Sequence, residues 1–259
     1  MDLGLSGRKA ILCASSRGLG YACALSLARE GCDVVINGLT AERLEKAAEA
    51  IRAETGVSVT PVLADITTEE GRDRLVAACP DADILVNNNA GPPPGKLADW
   101  GHAEWLSALE ANMLAPIFMI KALVPGMRAR KFGRIVNITS AMVKTPRPAL
   151  GLSTSARAGL TALCKSLSRE VAADNVTINN LLPERIDTDR QVFMAKRMAS
   201  LEGISYEEAR ARITETIPAK RFGLPKEFGD TCAFLCSVQA GFMSGQNVQL
   251  DGGAYTGLI

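Results

Sequence analysis

The chain is poor in several groups that catalysis commonly uses. Its 259 residues hold one histidine, three tyrosines and two tryptophans, and aromatics make up 5%. A zinc site or a Ser-His-Asp triad would have to be built on His102 alone, which lies in a polar stretch beside Gly101. A surface histidine is the simpler expectation, and no metal site is expected. The seven cysteines (13, 23, 32, 79, 164, 232, 236) include no Cys-x-x-Cys, and several sit in apolar runs such as Ile11-Leu12-Cys13. They are read as small hydrophobes rather than redox or metal groups. Charge of one sign is also missing: 29 Lys+Arg stand against 28 Asp+Glu, net +1. Nothing here marks a nucleic-acid or anionic-membrane surface. No apolar run reaches the roughly 20 residues of a membrane span, and the best one, Met113 to Met127, is broken by Lys121 and two prolines. Met1-Asp2-Leu3-Gly4 has neither a basic nor an apolar leader character. A cytoplasmic location is therefore expected.

What remains is an ordinary globular composition, 47% apolar and 22% charged, at a length that can bury its own core. Short apolar runs predict strands at Lys9–Ala14, Asp33–Asn37, Val57–Leu63, Ile84–Asn87, Arg134–Ile138, Thr177–Leu182 and Val248–Leu250. Being apolar almost throughout, they suit parallel strands covered on both faces. Between them lie helical patterns at Leu19–Glu30, Ala41–Thr55, Thr68–Cys79, about Ala103–Arg130, Leu152–Asp174 and Pro225–Ser237. The alternation implies one α/β domain over residues 1–259, a doubly wound parallel sheet of about seven strands with helices on both faces. The polar, basic, helix-prone stretch from Asp187 to Phe222 breaks the rhythm and reads as a substrate lid, or else as a surface excursion.

The first strand runs into Ala14-Ser15-Ser16-Arg17-Gly18-Leu19-Gly20 and then a helix. Such a turn lets backbone N–H groups and a helix N-terminus meet a pyrophosphate, although a plain structural turn uses the same residues. The second strand ends Ile36-Asn37-Gly38-Leu39-Thr40 without the carboxylate that would hold a ribose 2′-OH. Arg17 could instead meet a 2′-phosphate, so NADP(H) is favoured over NAD(H). A solvated arginine at a helix start is the plainer reading.

These motifs, with Asp65-Ile66, Asn87-Asn88-Asn89-Ala90-Gly91, Asn112, Asn137-Ile138-Thr139-Ser140, Arg221-Phe222-Gly223-Leu224-Pro225 and Leu250-Asp251-Gly252-Gly253, resemble the short-chain dehydrogenase/reductase family along nearly the whole chain. The nearest general likeness is to 3-oxoacyl-acyl-carrier-protein reductases and similar ketoreductases. The resemblance implies a nicotinamide nucleotide against Ser15, Ser16, Arg17, Gly18, Leu19, Gly20, Gly38, Asp65, Ile66, Asn87, Asn88, Arg157, Pro183, Ile186 and Thr188. It implies Ser140 and Asn112 at the chemistry, and a homotetramer formed through the helices Ala103–Arg130 and Leu152–Asp174. An acyl carrier protein partner is implied by resemblance alone.

The family's Tyr-x-x-x-Lys is not here. Thirteen residues after Ser140 stands Ser153, and four further stands Arg157. A phenol beside an ammonium can deliver a proton near neutral pH, whereas an aliphatic hydroxyl is a far weaker acid. Arg157 keeps a charge but does not release a proton at working pH. Asn89 stands where the family has Ala, and Glu184 stands in its Pro-Gly, bringing a carboxylate toward the nicotinamide end. The run Gly91-Pro92-Pro93-Pro94-Gly95 reads as a pocket wall or a surface loop. The leading expectation is an oxidoreductase acting on a small carbonyl or alcohol. In it Ser140 binds the oxygen, Arg157 supplies charge, and Ser153 or a water at Asn112 relays the proton. Tyr206 is the next candidate acid. The alternatives are a nucleotide-binding homologue without turnover, and C=C or C=N reduction, dehydration or isomerisation on the same fold.

Overall fold

The computed structural model describes residues 1–258. Seven parallel strands form one sheet: β1 Lys9–Leu12, β2 Asp33–Gly38, β3 Val59–Leu63, β4 Ile84–Asn87, β5 Gly133–Ile138, β6 Val176–Pro183 and β7 Asn247–Leu250. Their order is β3-β2-β1-β4-β5-β6-β7. All seven expected strands are present, with ends shifted by one or two residues.

The helices are α1 Gly18–Arg29, α2 Ala41–Thr55, α3 Glu69–Ala78, α4 His102–Leu109, α5 Ala115–Ala129, α6 Gly151–Val171, α7 Asp189–Glu202, α8 Tyr206–Glu215 and α9 Pro225–Cys236. Because the inner strands are apolar on both sides, helices must cover both faces. Leu12, Ile36 and Val86 pack on one face with Leu27 of α1, Leu44 of α2 and Phe228 of α9. Ile11, Leu85 and Ile135 pack on the other with Leu75 of α3, Met119 and Leu123 of α5 and Leu160 of α6. The strand order reverses between β1 and β4, and at such a switch point the carboxyl ends leave a crevice.

The long helix expected at Ala103–Arg130 is α4 and α5 joined by a wide π-turn, Glu110–Leu114. Pro116 has no N–H for the carbonyl four residues back, that of Asn112, so an α-helical bond is missing where the turn widens. The helical stretch His102–Ala129 holds an 18-residue window of mean hydropathy 1.4 and is long and apolar enough to cross a bilayer, unlike the shorter run read from sequence. Its Ala115, Met119, Leu123 and Met127 face nevertheless lies in the second core.

The stretch after β6 forms α7 and α8 around a small core of their own, with Ala195, Ala209, Ile213, Ile217 and Phe222. Arg210 binds Asp187 through both nitrogens at 3.0 and 2.8 Å and so fixes α8 to the start of this unit. All seven cysteines are free and buried, and burial pushes the Cys13 and Cys164 thiols up to about 12. His102 is exposed at the start of α4.

Candidate active site

A cleft of about 750 Å³ opens over the switch point, within the size range of ligand pockets. Its floor begins at the turn between β1 and α1. Ser15 is fully buried: its Oγ donates to the Leu12 carbonyl at 2.7 Å and accepts from the Asn37 N–H at 2.9 Å. Asn37 in turn accepts from the Ala14 N–H and donates to the carbonyls of Val62 and Ala64, tying the ends of β1, β2 and β3 together. Gly20 is required by close approach, because a Cβ there would stand 2.5 Å from the Ala14 carbonyl oxygen. Gly18 adopts φ 59, and Ala14 itself is left-handed at φ 44. No side chain caps the start of α1, so its first amides face the cleft as an anion site. These features fit a pyrophosphate.

The far wall is held by asparagines. Asn88 Nδ2 donates to the Ala14 carbonyl at 3.0 Å. Behind it, Asn87 donates to Asn137, Asn137 to Asn180 and Asn180 to Asn247, at 2.9, 3.1 and 2.8 Å. The ladder joins the carboxyl ends of β4 and β5 to the interior of β6 and the first residue of β7, in register.

Ser140 begins a short 3₁₀ turn, its Oγ accepting from the Met142 N–H at 3.2 Å. Ser153 and Arg157 lie one turn apart near the start of α6, where Arg157 Nε donates to Ser153 Oγ at 3.2 Å. Arg157 is 8% exposed. Its Nη1 donates to the carbonyls of Ile138 at 2.6 Å and Thr139 at 3.0 Å, and its Nη2 to that of Asn89 at 3.3 Å. Burial first, then the charge of Arg190, push its pKa down to about 10, which leaves it a cation at neutral pH. Asn112, in the π-turn, donates to the Ala90 carbonyl at 3.3 Å, while its buried Oδ1 has no partner.

Thirteen of the residues anticipated from sequence line the cleft: Ser16, Arg17, Gly18, Leu19, Gly38, Asp65, Ile66, Asn88, Ser140, Ser153, Arg157, Pro183 and Thr188. Ser15, Gly20, Asn87 and Asn112 stand behind the wall as its frame, whereas Ile186, expected against the nucleotide, instead lines a second cavity with Arg185, Ile217 and Gly223. Several details differ from the sequence reading. Arg17 reaches Asp189 of α7 at 2.9 Å. Asn89 turns its amide to the Ala111 carbonyl at 3.2 Å and so braces the π-turn. Glu184 pairs with Arg147 at 2.8 Å, and the left-handed residue beside it is Arg185, at φ 58. Tyr206 packs within the α7–α8 core, Tyr21 lies in α1 and Tyr255 lies 5.0 Å from Lys144. No tyrosine is among the residues lining the cleft.

Arg43 and Arg147 were missed from sequence, and both line the cleft. For Arg43 a signal exists: it sits in the first turn of α2, just past a strand end that lacks a carboxylate.

A family model described as enoyl-(acyl carrier protein) reductase matches residues 13–255. The chain is similar to dehydrogenase/reductase SDR family member 4 of Oryctolagus cuniculus, 34% identical over 255 residues, covering 96% of this chain and 94% of the relative. It is also similar to a 3-oxoacyl-[acyl-carrier-protein] reductase of Haemophilus influenzae, 31% identical, covering 97% and 99%. A solved L-sorbose reductase from Gluconobacter frateurii, complexed with NADPH and L-sorbose, superposes at TM-score 0.95 with 32% identity and full coverage of both chains. The chain belongs to the short-chain dehydrogenase/reductase family of NAD(P)-dependent oxidoreductases.

Proposed function

We propose that this protein interconverts a small carbonyl compound and its alcohol with NADP(H), using an acid–base site in which Ser153 and Arg157 replace the family's Tyr and Lys. The observation that carries the reading is a cleft with an open α1 N-terminus at one end and Ser140, Ser153 and a buried Arg157 at the other. When bound, the nicotinamide supplies or accepts the hydride. Residues Ser16 to Leu19, Gly38, Asp65, Ile66, Asn88, Pro183 and Thr188 would hold the nucleotide, with Ser15, Gly20 and Asn87 shaping the surface behind them. Arg43, and Arg17 once released from Asp189, would meet a 2′-phosphate, since β2 ends without a carboxylate that would repel it.

Ser140 donates its hydroxyl proton as a hydrogen bond to the substrate oxygen. Arg157 is anchored by backbone carbonyls, so its charge is fixed in place before charge develops on that oxygen, an oxyanion-hole effect. The orphaned Oδ1 of Asn112 suits an ordered water; Ser153 gives its hydroxyl proton to the alkoxide and regains one from that water, which takes a proton from bulk solvent in turn. The segment 187–222 acts as the substrate lid. By the family resemblance the protein is a homotetramer, with Phe118 and Leu163 exposed on the outer faces of α5 and α6.

The test is loss of NADPH absorbance over a panel of aldehydes and ketones, with dissociation constants measured for NADPH and NADH. Turnover and tighter NADPH binding are expected. Nucleotide binding with no carbonyl turned over would favour a second reading, a nucleotide-binding homologue, which the lack of a cleft tyrosine supports.

A further inference from the structure

Charge along the cleft is unevenly paired. Its carboxylates are already engaged: Asp189 by Arg17 at 2.9 Å, Glu184 by Arg147 at 2.8 Å, and Asp65 by the N–H and hydroxyl of Thr67 at 2.9 and 2.8 Å. Arg157 and Arg190 face the same space and have no carboxylate partner among the described residues. Arg157 is buried and held by neutral carbonyls. Arg190 is exposed in the first turn of α7, its guanidinium 5.8 Å from the centre of the Phe193 ring. The two cations are close enough for Arg190 to disfavour the charge on Arg157. Like charges sharing a low-dielectric cleft repel, and an anion between them removes that cost.

A third positive element points to the same spot. Thr188, Asp189, Arg190 and Gln191 all line the cleft, so the N-terminal end of the 14-residue α7 opens into it. Thr188 makes no side-chain cap, and the one acidic group in that turn, Asp189, is drawn away to Arg17. Of the other lid cations, Arg210, Arg212, Lys220 and Arg221 are each in an ion pair, whereas Arg197 is near enough to Arg190 to disfavour its charge, and neither Arg197 nor Lys196 lines the cleft.

We infer that the substrate is an oxo acid or hydroxy acid whose carboxylate sits on the Arg190 guanidinium at the start of α7, with its reacting oxygen at Ser140. This rests on the oxidoreductase reading above and makes Arg190 a specificity-determining residue. The planar guanidinium suits a carboxylate, which it binds through two parallel N–H bonds. A phosphate of the nucleotide is the other anion that Arg190 could meet, and the experiment separates the two.

The probes are 2-oxohexanoate, 4-oxopentanoate and the methyl ester of each, titrated calorimetrically into protein saturated with NADP⁺, where no reduction occurs. At least one acid is expected to bind about tenfold or more tightly than its ester. Arg190→Gln should erase that gap, Arg190→Lys should keep part of it, and both should leave NADP⁺ affinity within about twofold. The inference is overturned if no acid preference appears in the series, or if Arg190→Gln leaves the preference intact. It is also overturned if Arg190→Gln weakens NADP⁺ as much as the acids, which assigns Arg190 to a nucleotide phosphate. Turnover is scored separately with NADPH. An acid preference without NADPH oxidation on any carbonyl sinks the oxidoreductase reading and leaves the anion site standing. Turnover of neutral carbonyls without acid preference does the reverse.

Discussion

At position 157 an ammonium and a guanidinium are not equivalent. Arg157 spends its N–H groups on Ser153 and on the carbonyls of Asn89, Ile138 and Thr139, joining α6 to the ends of β4 and β5. Arg157→Ala is expected to lower kcat/KM by about 10²- to 10³-fold, the usual cost of removing an oxyanion-type donor. Ser153→Ala should cost far less, since water can replace a hydroxyl at the cleft. Arg157→Ala also strips three carbonyls of a partner, so a melting curve must accompany the kinetics. If turnover survives Arg157→Ala while the protein stays folded, the charge is not part of the chemistry. The double change Ser153→Tyr with Arg157→Lys should raise carbonyl reduction and introduce a pH-dependent limb that the native protein lacks. Arg157 stays charged well past neutrality, so the native kcat/KM should be flat between about pH 6 and 9. A limb in that window in the native protein would require another titrating acid. The placement of Ser153 and Arg157 was legible by counting along the chain. The carbonyls that hold Arg157 were not, because residues 89, 138 and 139 meet it only through the fold. Ala14 offers a simpler test of strain. A left-handed alanine costs roughly 1–2 kcal/mol, and glycine returns roughly 0.5–1 kcal/mol as chain entropy. Ala14→Gly should therefore stabilise the fold by about 0.5–1 kcal/mol in urea titration. A loss of stability would show that the turn is unstrained.

Among the elements, the strands were readable and the joints between them were not. Continuous apolar runs such as Ile84-Leu85-Val86 can bury both faces, which is why β1 to β7 emerged from the sequence close to their true ends. The asparagines in or beside these runs looked like a cofactor ligand at Asn87 alone. Its meaning depends on strand order, which puts Asn87, Asn137, Asn180 and Asn247 side by side. The π-turn at Glu110–Leu114 was hidden for a related reason: apolar spacing continues through it, and the widened turn lies within one helical pattern. Each central member of the ladder is buried and both donates a bond to one neighbour and accepts one from the other, Asn137 donating also to Cys164 Sγ. Asn137→Ala deletes both ladder bonds and leaves amide groups of Asn87 and Asn180 without those partners, each orphan costing about 1–3 kcal/mol. A destabilisation of about 2–4 kcal/mol is expected, read as a lower midpoint at unchanged denaturant slope. A change under about 1 kcal/mol would mean that the ladder is incidental to the sheet.

Across the molecule, the cleft is closed on one side by the β1–α1 turn and on the other by the α7–α8 unit, and one ion pair bridges them. Arg17 and Asp189 lie 172 positions apart in the chain and 2.9 Å apart in space. Both side chains are well exposed, at 60% and 75%, so the pair adds little to stability; such pairs are worth about 0–1 kcal/mol. Its consequence is for the nucleotide. With Asp189 in place, Arg17 must leave one anion before meeting another, and the carboxylate also stands near any 2′-phosphate. Asp189→Asn should therefore leave the melting temperature almost unchanged while tightening NADPH about two- to tenfold, with no gain for NADH, which lacks the 2′-phosphate. The gain should shrink as salt is raised, because exposed charges are screened within about 10 Å at 0.1 M. Arg17→Ala should abolish the difference between Asp189 and Asn at this position. Equal tightening of both nucleotides would instead place Asp189 against the pyrophosphate. No change in either would remove Arg17 from nucleotide selection and leave Arg43 as the cation at that end of the cleft.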